Sequence, residues 1–244
     1  MKLFILMIQL MTRIPLPIMV KVDEKKLGKG NIFFPVIGAV IGLIMAGVSW
    51  VLARFFGLGQ LYAILVMLTY LWASGGLHFD GLSDTFDGLW SNRPRDRMLE
   101  IMRDSRVGVY GVLILILTII IWIVGLTELG GGWQYLILIP MLGRYGAVVA
   151  NSISNYAREE GMGKYFVQFC GGRELLLTSL YTWPVTYWLI GLKGIWILLT
   201  VIIFTYLLVR WVKKKIGGIT GDIIGATIEL NQLLIIFILT YFMV

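Results

Sequence analysis

Apolar residues run through this chain in blocks of about twenty, parted by short polar connections, and that rhythm predicts its elements. Blocks near 36–56, 60–77, 107–126, 133–152, 175–192, 194–211 and 223–244 are each about long enough to cross a bilayer as a helix. The fifth carries Pro184, and the last contains Glu229, Asn231 and Gln232. Ahead of them, "MKLFILMIQLMTRIPLPIMV" lacks a small-residue cleavage site and is interrupted by Arg13 and Pro15, so it reads as a retained interfacial helix. The expected fold is all-α: one polytopic membrane helix bundle over residues 1–244, with about seven transmembrane helices and an N-terminal interfacial helix. No linker, repeat or low-complexity stretch divides it.

Composition sharpens this picture. The 244 residues are 58% hydrophobic and 14% charged, with a mean hydropathy of +0.85, whereas soluble domains carry about a quarter charged residues. The net charge of +7 does not point to nucleic acid, because the cations fall where topology signals belong. The N-terminal segment has Lys2, Arg13, Lys21, Lys25, Lys26 and Lys29, and the connection after the second span has Arg93, Arg95, Arg97, Arg103 and Arg106. Arg158, Lys164 and Arg173 follow the fourth span, and Arg210, Lys213, Lys214 and Lys215 precede the last. The connections between hold only Lys193 or no cation. This alternation predicts a cytoplasmic N-terminus in a cell (inner) membrane, surrounded by lipid. It leaves room for a homo-oligomer.

Within the second cationic connection lies "GGLHFDGLSDTFDGL", Gly75 to Leu89. Asp80, Asp84 and Asp87 are spaced i, i+4, i+7, which confines them to an arc of roughly 60° on a helix. An aspartate at membrane depth costs about 2.5–3.5 kcal/mol, and three close together repel one another. A divalent cation offsets both penalties. With one cysteine, Cys170, and one histidine, His78, in the chain, such a metal must be held by oxygen, which favours Mg²⁺, Mn²⁺ or Ca²⁺. Gly75, Gly76, Gly81 and Gly88 would let a helix or ligand approach closely. The plainer alternative is a solvated loop whose aspartates pair with the arginines that follow.

Those arginines, Arg93, Arg95, Arg97, Arg103 and Arg106, suit bidentate phosphate contacts or serve topology alone. Asp104 sits among the last two. In "NYAREEGMGKYF", Arg158, Glu159, Glu160 and Lys164 form a solvated loop or, with Gly161 and Gly163, a turn closing over a ligand. In "GGITGDIIGATIEL", Gly217, Gly218 and Gly221 flank Asp222. An aspartate at a helix start is ordinarily an N-cap, while the glycine density keeps a ligand role open. His78 is a general base or a hydrogen-bonded structural residue. Cys170 reads as packing.

Acids for Mg²⁺, arginines for phosphates and glycines for close approach together point to phosphoryl transfer at the membrane surface. "GGLHFDGLSDTFDGL", "EIMRDSRVGVYG", "EEGMG" and "GGITGDIIGATIEL" resemble the cobalamin synthase (adenosylcobinamide-GDP ribazoletransferase) family over most of the chain. The loop "AREEGMG" departs from the family pattern at Glu159 and Met162. The resemblance implies a Mg²⁺-dependent membrane enzyme with two small-molecule substrates. It would join adenosylcobinamide-GDP to α-ribazole or its 5′-phosphate, release GMP and complete the nucleotide loop of vitamin B12. Asp80, Asp84 and Asp87 would then bind metal, with Asp104 and Asp222 completing or supporting the site. Arg103 and Arg106 would neutralise the diphosphate.

Two other classes compete. "DTFDG", Asp84 to Gly88, opens like the CDP-alcohol phosphotransferase signature, but Ser91 and Asn92 stand where that signature continues with Ala-Arg. A cation transporter would place its acids near the bilayer midplane, not beside arginines at one surface.

Overall fold

A computed structural model describes residues 2–20 and 24–243 of the chain. Lys21 and the Lys25 side chain, two of the cations counted toward sidedness, lie outside the described residues. The N-terminal apolar stretch forms α1 (Lys2–Met11), which buries Leu6, Met7 and Met11. α2 (Glu24–Lys29) and a 3₁₀ turn (Gly30–Phe33) lead into α3 (Phe34–Phe56), with Pro35 in its first turn, where no backbone donor is lost. Then come α4 (Gln60–Ser74), α5 (Leu77–Trp90), α6 (Arg95–Ile101), α7 (Val109–Glu128), α8 (Trp133–Ile153) and α9 (Met162–Gln168). The series ends with α10 (Gly172–Ile190), α11 (Leu192–Ile216), α12 (Gly221–Ile238) and a π turn (Leu239–Met243). Among the described residues, the extended pairing is one isolated parallel bridge, Tyr156 with Ile219.

The seven expected spans correspond to α3, α4, α7, α8, α10, α11 and α12, but they are not equivalent. Five stretches, built on α3, α7, α8, α11 and α12, are long and apolar enough to cross a membrane on their own. The second expected span breaks: α4 ends at Ser74, and α5 leaves it at 91°. The apolar run through Leu77 conceals this break, which falls on Gly75 and Gly76 at φ +70° and +69°, a region costly for other residues. α10 has the length but carries too little apolar weight to qualify alone. It packs against α8 and α11.

α8 is the central helix, buried along almost its whole length. α3 crosses it at Gly38 and Gly42, where any side chain would strike the α8 backbone at Pro140–Met141 and Leu136–Ile137. α12 packs against both α5 and α8. On the outside, Val109, Leu113, Leu117 and Ile120 of α7 and Ile203 and Leu207 of α11 are exposed, as lipid-facing positions should be.

The connections sort into two ends. At one, Gly131 abuts Leu58 and Tyr62, and the rings of Trp133 and Trp188 lie 6.3 Å apart. At the other, the cationic connections converge. Arg95 reaches the carbonyls of Ile216 and Ala157, and Lys215 donates to the Leu89 carbonyl. The candidate site sits at this second end.

Candidate active site

α5 brings the aspartates to the site because its other faces are committed to packing. Gly81 lies against the Asp222 backbone of α12, where an added Cβ would come within 2.9 Å of the carbonyl oxygen. Gly225 of α12 faces His78 in the same crossing. Gly88 lies under Met102 and the Met98 carbonyl, where α6 packs. Asp80 is left exposed and Asp84 half-buried. The segment is therefore helical, and none of its three aspartates forms an ion pair with the following arginines among the described residues.

Asp87 has a second task. Its two carboxylate oxygens accept the backbone N–H groups of Gly108 at 2.7 Å and Gly111 at 2.9 Å. These are free donors at the start of α7, whose N-cap Gly108 offers no side chain. Asp87 thus caps α7 from a neighbouring helix.

Facing α5 is Asp222, in the first turn of α12. It is not the N-cap. Thr220 takes that role, its hydroxyl accepting the Ile223 N–H while donating to Asp222. Asp222 instead makes a 2.9 Å ion pair with Arg158, and the two side chains are 23% and 10% exposed. Arg158 reaches it because the 154–158 strand-like segment is pinned to 217–220. Ala157 N–H donates to the Ile219 carbonyl and Ile219 N–H to the Asn155 carbonyl. Gly218 permits this, since a Cβ there would strike the Asn155 carbonyl. Asp84 accordingly feels repulsion from Asp80, Asp222 and Asp87, opposed by Arg158. Around Asp84, the field of three other carboxylates is thus opposed by the Arg158 guanidinium.

The other predicted residues lie around this cluster. Arg95 ties α6 to the 216 and 157 carbonyls, while exposed Arg97 pairs with Glu100 at 2.6 Å. Arg93 and Arg103 are exposed. Asp104 is held by Arg106 at 2.6 Å, and the guanidinium and N–H of Arg106 draw its carboxyl down to about 2. Among the described residues, no three His, Cys, Asp or Glu side chains are gathered closely enough to hold a metal as they stand.

Two cavities flank Asp80. One, about 380 Å³, is polar and lined by Gln9, Thr12, Arg13, Ser74 and Gly76. The other, about 300 Å³, is mainly apolar, lined by Met11, Phe34, Met162, Phe166 and Ile224, with His78 and Asp222 in its wall. Leu10, Leu77 and Asp80 border both.

Below the cluster lies a buried polar network that the linear pattern does not reveal as one unit. Glu229 is fully buried and accepts a 2.5 Å hydrogen bond from Tyr70, which accepts one at 2.8 Å from Gln232. His78 Nδ1 lies 3.7 Å from Glu229. Arg144, fully buried in α8, donates to the Pro140 carbonyl and lies in the electrostatic field of Glu229. The trace of this network in the sequence is an arginine in one apolar block and a glutamate in another.

Residues 3–240 match the family described as cobalamin-5-phosphate synthase. Proteins named adenosylcobinamide-GDP ribazoletransferase from Clostridium acetobutylicum and Acetivibrio thermocellus are each 42% identical to this chain. The first alignment covers 98% of this chain and 96% of the relative, the second 95% and 94%. A namesake from Caldanaerobacter subterraneus is 38% identical over 96% of this chain and 95% of its own length. No solved structure matches. A match over nearly the whole length, with the acid-bearing helix and its α12 partner inside it, places the chain in the cobalamin-5-phosphate synthase family.

Proposed function

We propose that this protein transfers the phosphocobinamide group of adenosylcobinamide-GDP to a ribose hydroxyl of α-ribazole or its 5′-phosphate, releasing GMP. The observation that carries the reading is the near full-length likeness to relatives bearing that enzyme's name. The reaction breaks the bond between the bridging oxygen of GMP and the phosphorus on the corrinoid arm, and it forms one from the ribose oxygen to that phosphorus. The hydroxyl proton must leave, and the reading gives it to His78, which lines the apolar cavity next to Asp80.

Mg²⁺ belongs to the same proposal. The donor set fits a hard divalent cation by its chemistry: oxygen donors, with three further carboxylates around Asp84 opposed by the Arg158 guanidinium. Asp80, Asp84 and Asp222 would have to draw together to hold it, since the oxygens of Asp87 are engaged by α7 and Asp104 by Arg106. Bound there, the ion would neutralise charge on the phosphoryl oxygens. Exposed Arg103 would receive the departing GMP phosphate, joined by Arg106 on exchanging Asp104 for it, with Arg93 and Arg97 extending the basic rim. Arg95, Gly88 and Gly218 support the site by holding its backbone segments together. Sidedness enters on the same footing: apart from Lys193, the lysines and arginines of the connections lie at the site's end, which supports a cytoplasmic site in the cell membrane.

The test is GMP release by purified protein in detergent or liposomes, given adenosylcobinamide-GDP, α-ribazole and Mg²⁺. GMP that appears only with all three, together with a cobalamin product, is expected. Folded protein that releases none would overturn the reading.

A further inference from the structure

The two cavities beside Asp80 differ in chemistry as the two ends of a nucleotide do. We propose that the acceptor spans both, its flat base in the apolar cavity and its 5′-phosphate in the polar one on Arg13, with the ribose at Asp80. The inference rests on the proposed transferase activity and adds an acceptor subsite to it.

Three observations support it. First, the exposed residue Arg13 lines the polar cavity, and no described residue gives its guanidinium a hydrogen bond or ion pair. Its position is nonetheless built. The Arg13 backbone N–H donates to the Ala73 carbonyl at 2.9 Å, and its side chain lies so close to Gly75 that a Cβ there would come within 2.7 Å of Nε. An unpartnered guanidinium lining a polar cavity is suited to a phosphate monoester. Second, the neighbouring cavity is walled by Phe34, Phe166, Met11, Met162 and Ile224, a lining that suits an apolar heteroaromatic ring. Third, the wall that the cavities share contains Asp80, so a ligand reaching into both holds its central sugar at the carboxylate cluster. A phosphorylated acceptor would gain from Arg13 what an unphosphorylated one cannot.

The experiment compares kcat/KM for α-ribazole 5′-phosphate and for α-ribazole in wild type, Arg13→Gln and Arg13→Lys, in lipid-free detergent. The wild-type preference for the phosphorylated acceptor should fall about tenfold or more in Arg13→Gln and be partly restored in Arg13→Lys. Because the readout is a ratio, partial loss of folded protein cancels. A ratio that Arg13→Gln leaves unchanged would place the 5′-phosphate elsewhere and sink the inference. So would a cavity that serves a lipid headgroup phosphate, which would show as an unchanged ratio in detergent and anionic-lipid dependence in liposomes. Wild type that releases no GMP with either acceptor would strike the transferase reading instead, a different result from an unchanged ratio.

Discussion

Gly81→Ala tests whether the α5–α12 crossing sets the geometry of the site. The new methyl would lie 2.9 Å from the Asp222 carbonyl oxygen and 3.0 Å from its Cα, against ordinary contacts of about 3.5–4 Å. Neither atom is the tip of a flexible side chain, so the helices must part by about 0.5–1 Å. That shift costs about 1–3 kcal/mol of stability as overpacking. It also moves Asp80 and Asp84 away from Asp222, and a displacement of about 1 Å at reacting groups can cost about 100-fold in rate. Two further alanines grade the effect. At Gly225 the nearest atom, His78 Cα, is 3.3 Å away, and at Gly47 nothing lies within 4 Å. GMP release per folded protein, with a Mg²⁺ titration for each variant, should rank Gly47→Ala near wild type, Gly225→Ala slightly below and Gly81→Ala lowest. The Gly81 loss should fall on kcat and the Mg²⁺ requirement. Were Gly81 instead a substrate contact, the loss would fall on KM. Full activity in Gly81→Ala would refute the claim that the acids of α5 and α12 work as one cluster.

Other expectations follow from single side chains. Asp84→Asn should lose turnover by about 1,000-fold or more if it holds the metal. Asp87→Asn, which keeps an oxygen for one α7 amide, should retain far more, while Asp87→Ala should cost about 1–2 kcal/mol in thermal unfolding; equal activities for the two asparagine variants would contradict the division of roles. Replacing either Arg144 by Met or Glu229 by Gln alone should destabilise by about 3–5 kcal/mol, and the double variant by less than the sum, in melting curves in detergent; strict additivity would mean the two do not interact. Burial, with Glu174 adding to it, pushes the Cys170 thiol up to about 12, so at pH 8 only about one molecule in 10,000 carries the thiolate. Maleimide labelling should be negligible in folded protein and complete in denaturant, and rapid labelling of the native form would contradict that burial.

Which parts of this arrangement the linear pattern reveals depends on the range of the interaction. The i, i+4, i+7 aspartates are a local feature, and α5 is helical over them. What opposes each carboxylate is not local. Asp87 is spaced like its neighbours, yet it meets α7 amides more than twenty residues away, and helical spacing cannot show that. Arg158 and Asp222 are sixty-four positions apart, brought together by a bridge whose sequence trace is only a small residue at Gly218. For Gly81 and Gly88 the linear pattern allows a helix or a ligand as the close neighbour. Helices make that approach here: α12 at the first, α6 at the second. The break after Ser74 escaped hydropathy because Leu77 and Phe79 keep the average high across it.

That break explains how a greasy chain tolerates its acids. α4 has 15 residues, about 22 Å of helix, which falls short of a hydrocarbon core of about 30 Å. α5 therefore starts level with Gly225, inside α12, and its acids follow from His78 beside Gly225 to Asp87 at the start of α7. An uninterrupted α4 would have carried the same residues past the bundle end into water, where three aspartates would repel weakly and bind a cation weakly. Partial burial raises the cost of the Asp84 and Asp222 carboxylates, and the same low polarity strengthens their attraction for a divalent ion and for the Arg158 guanidinium. The turn at Gly75 and Gly76 also brings Arg13 and the two cavities to the cluster. The sharp bend, the excess of negative charge and the position of the cavities thus have one structural origin.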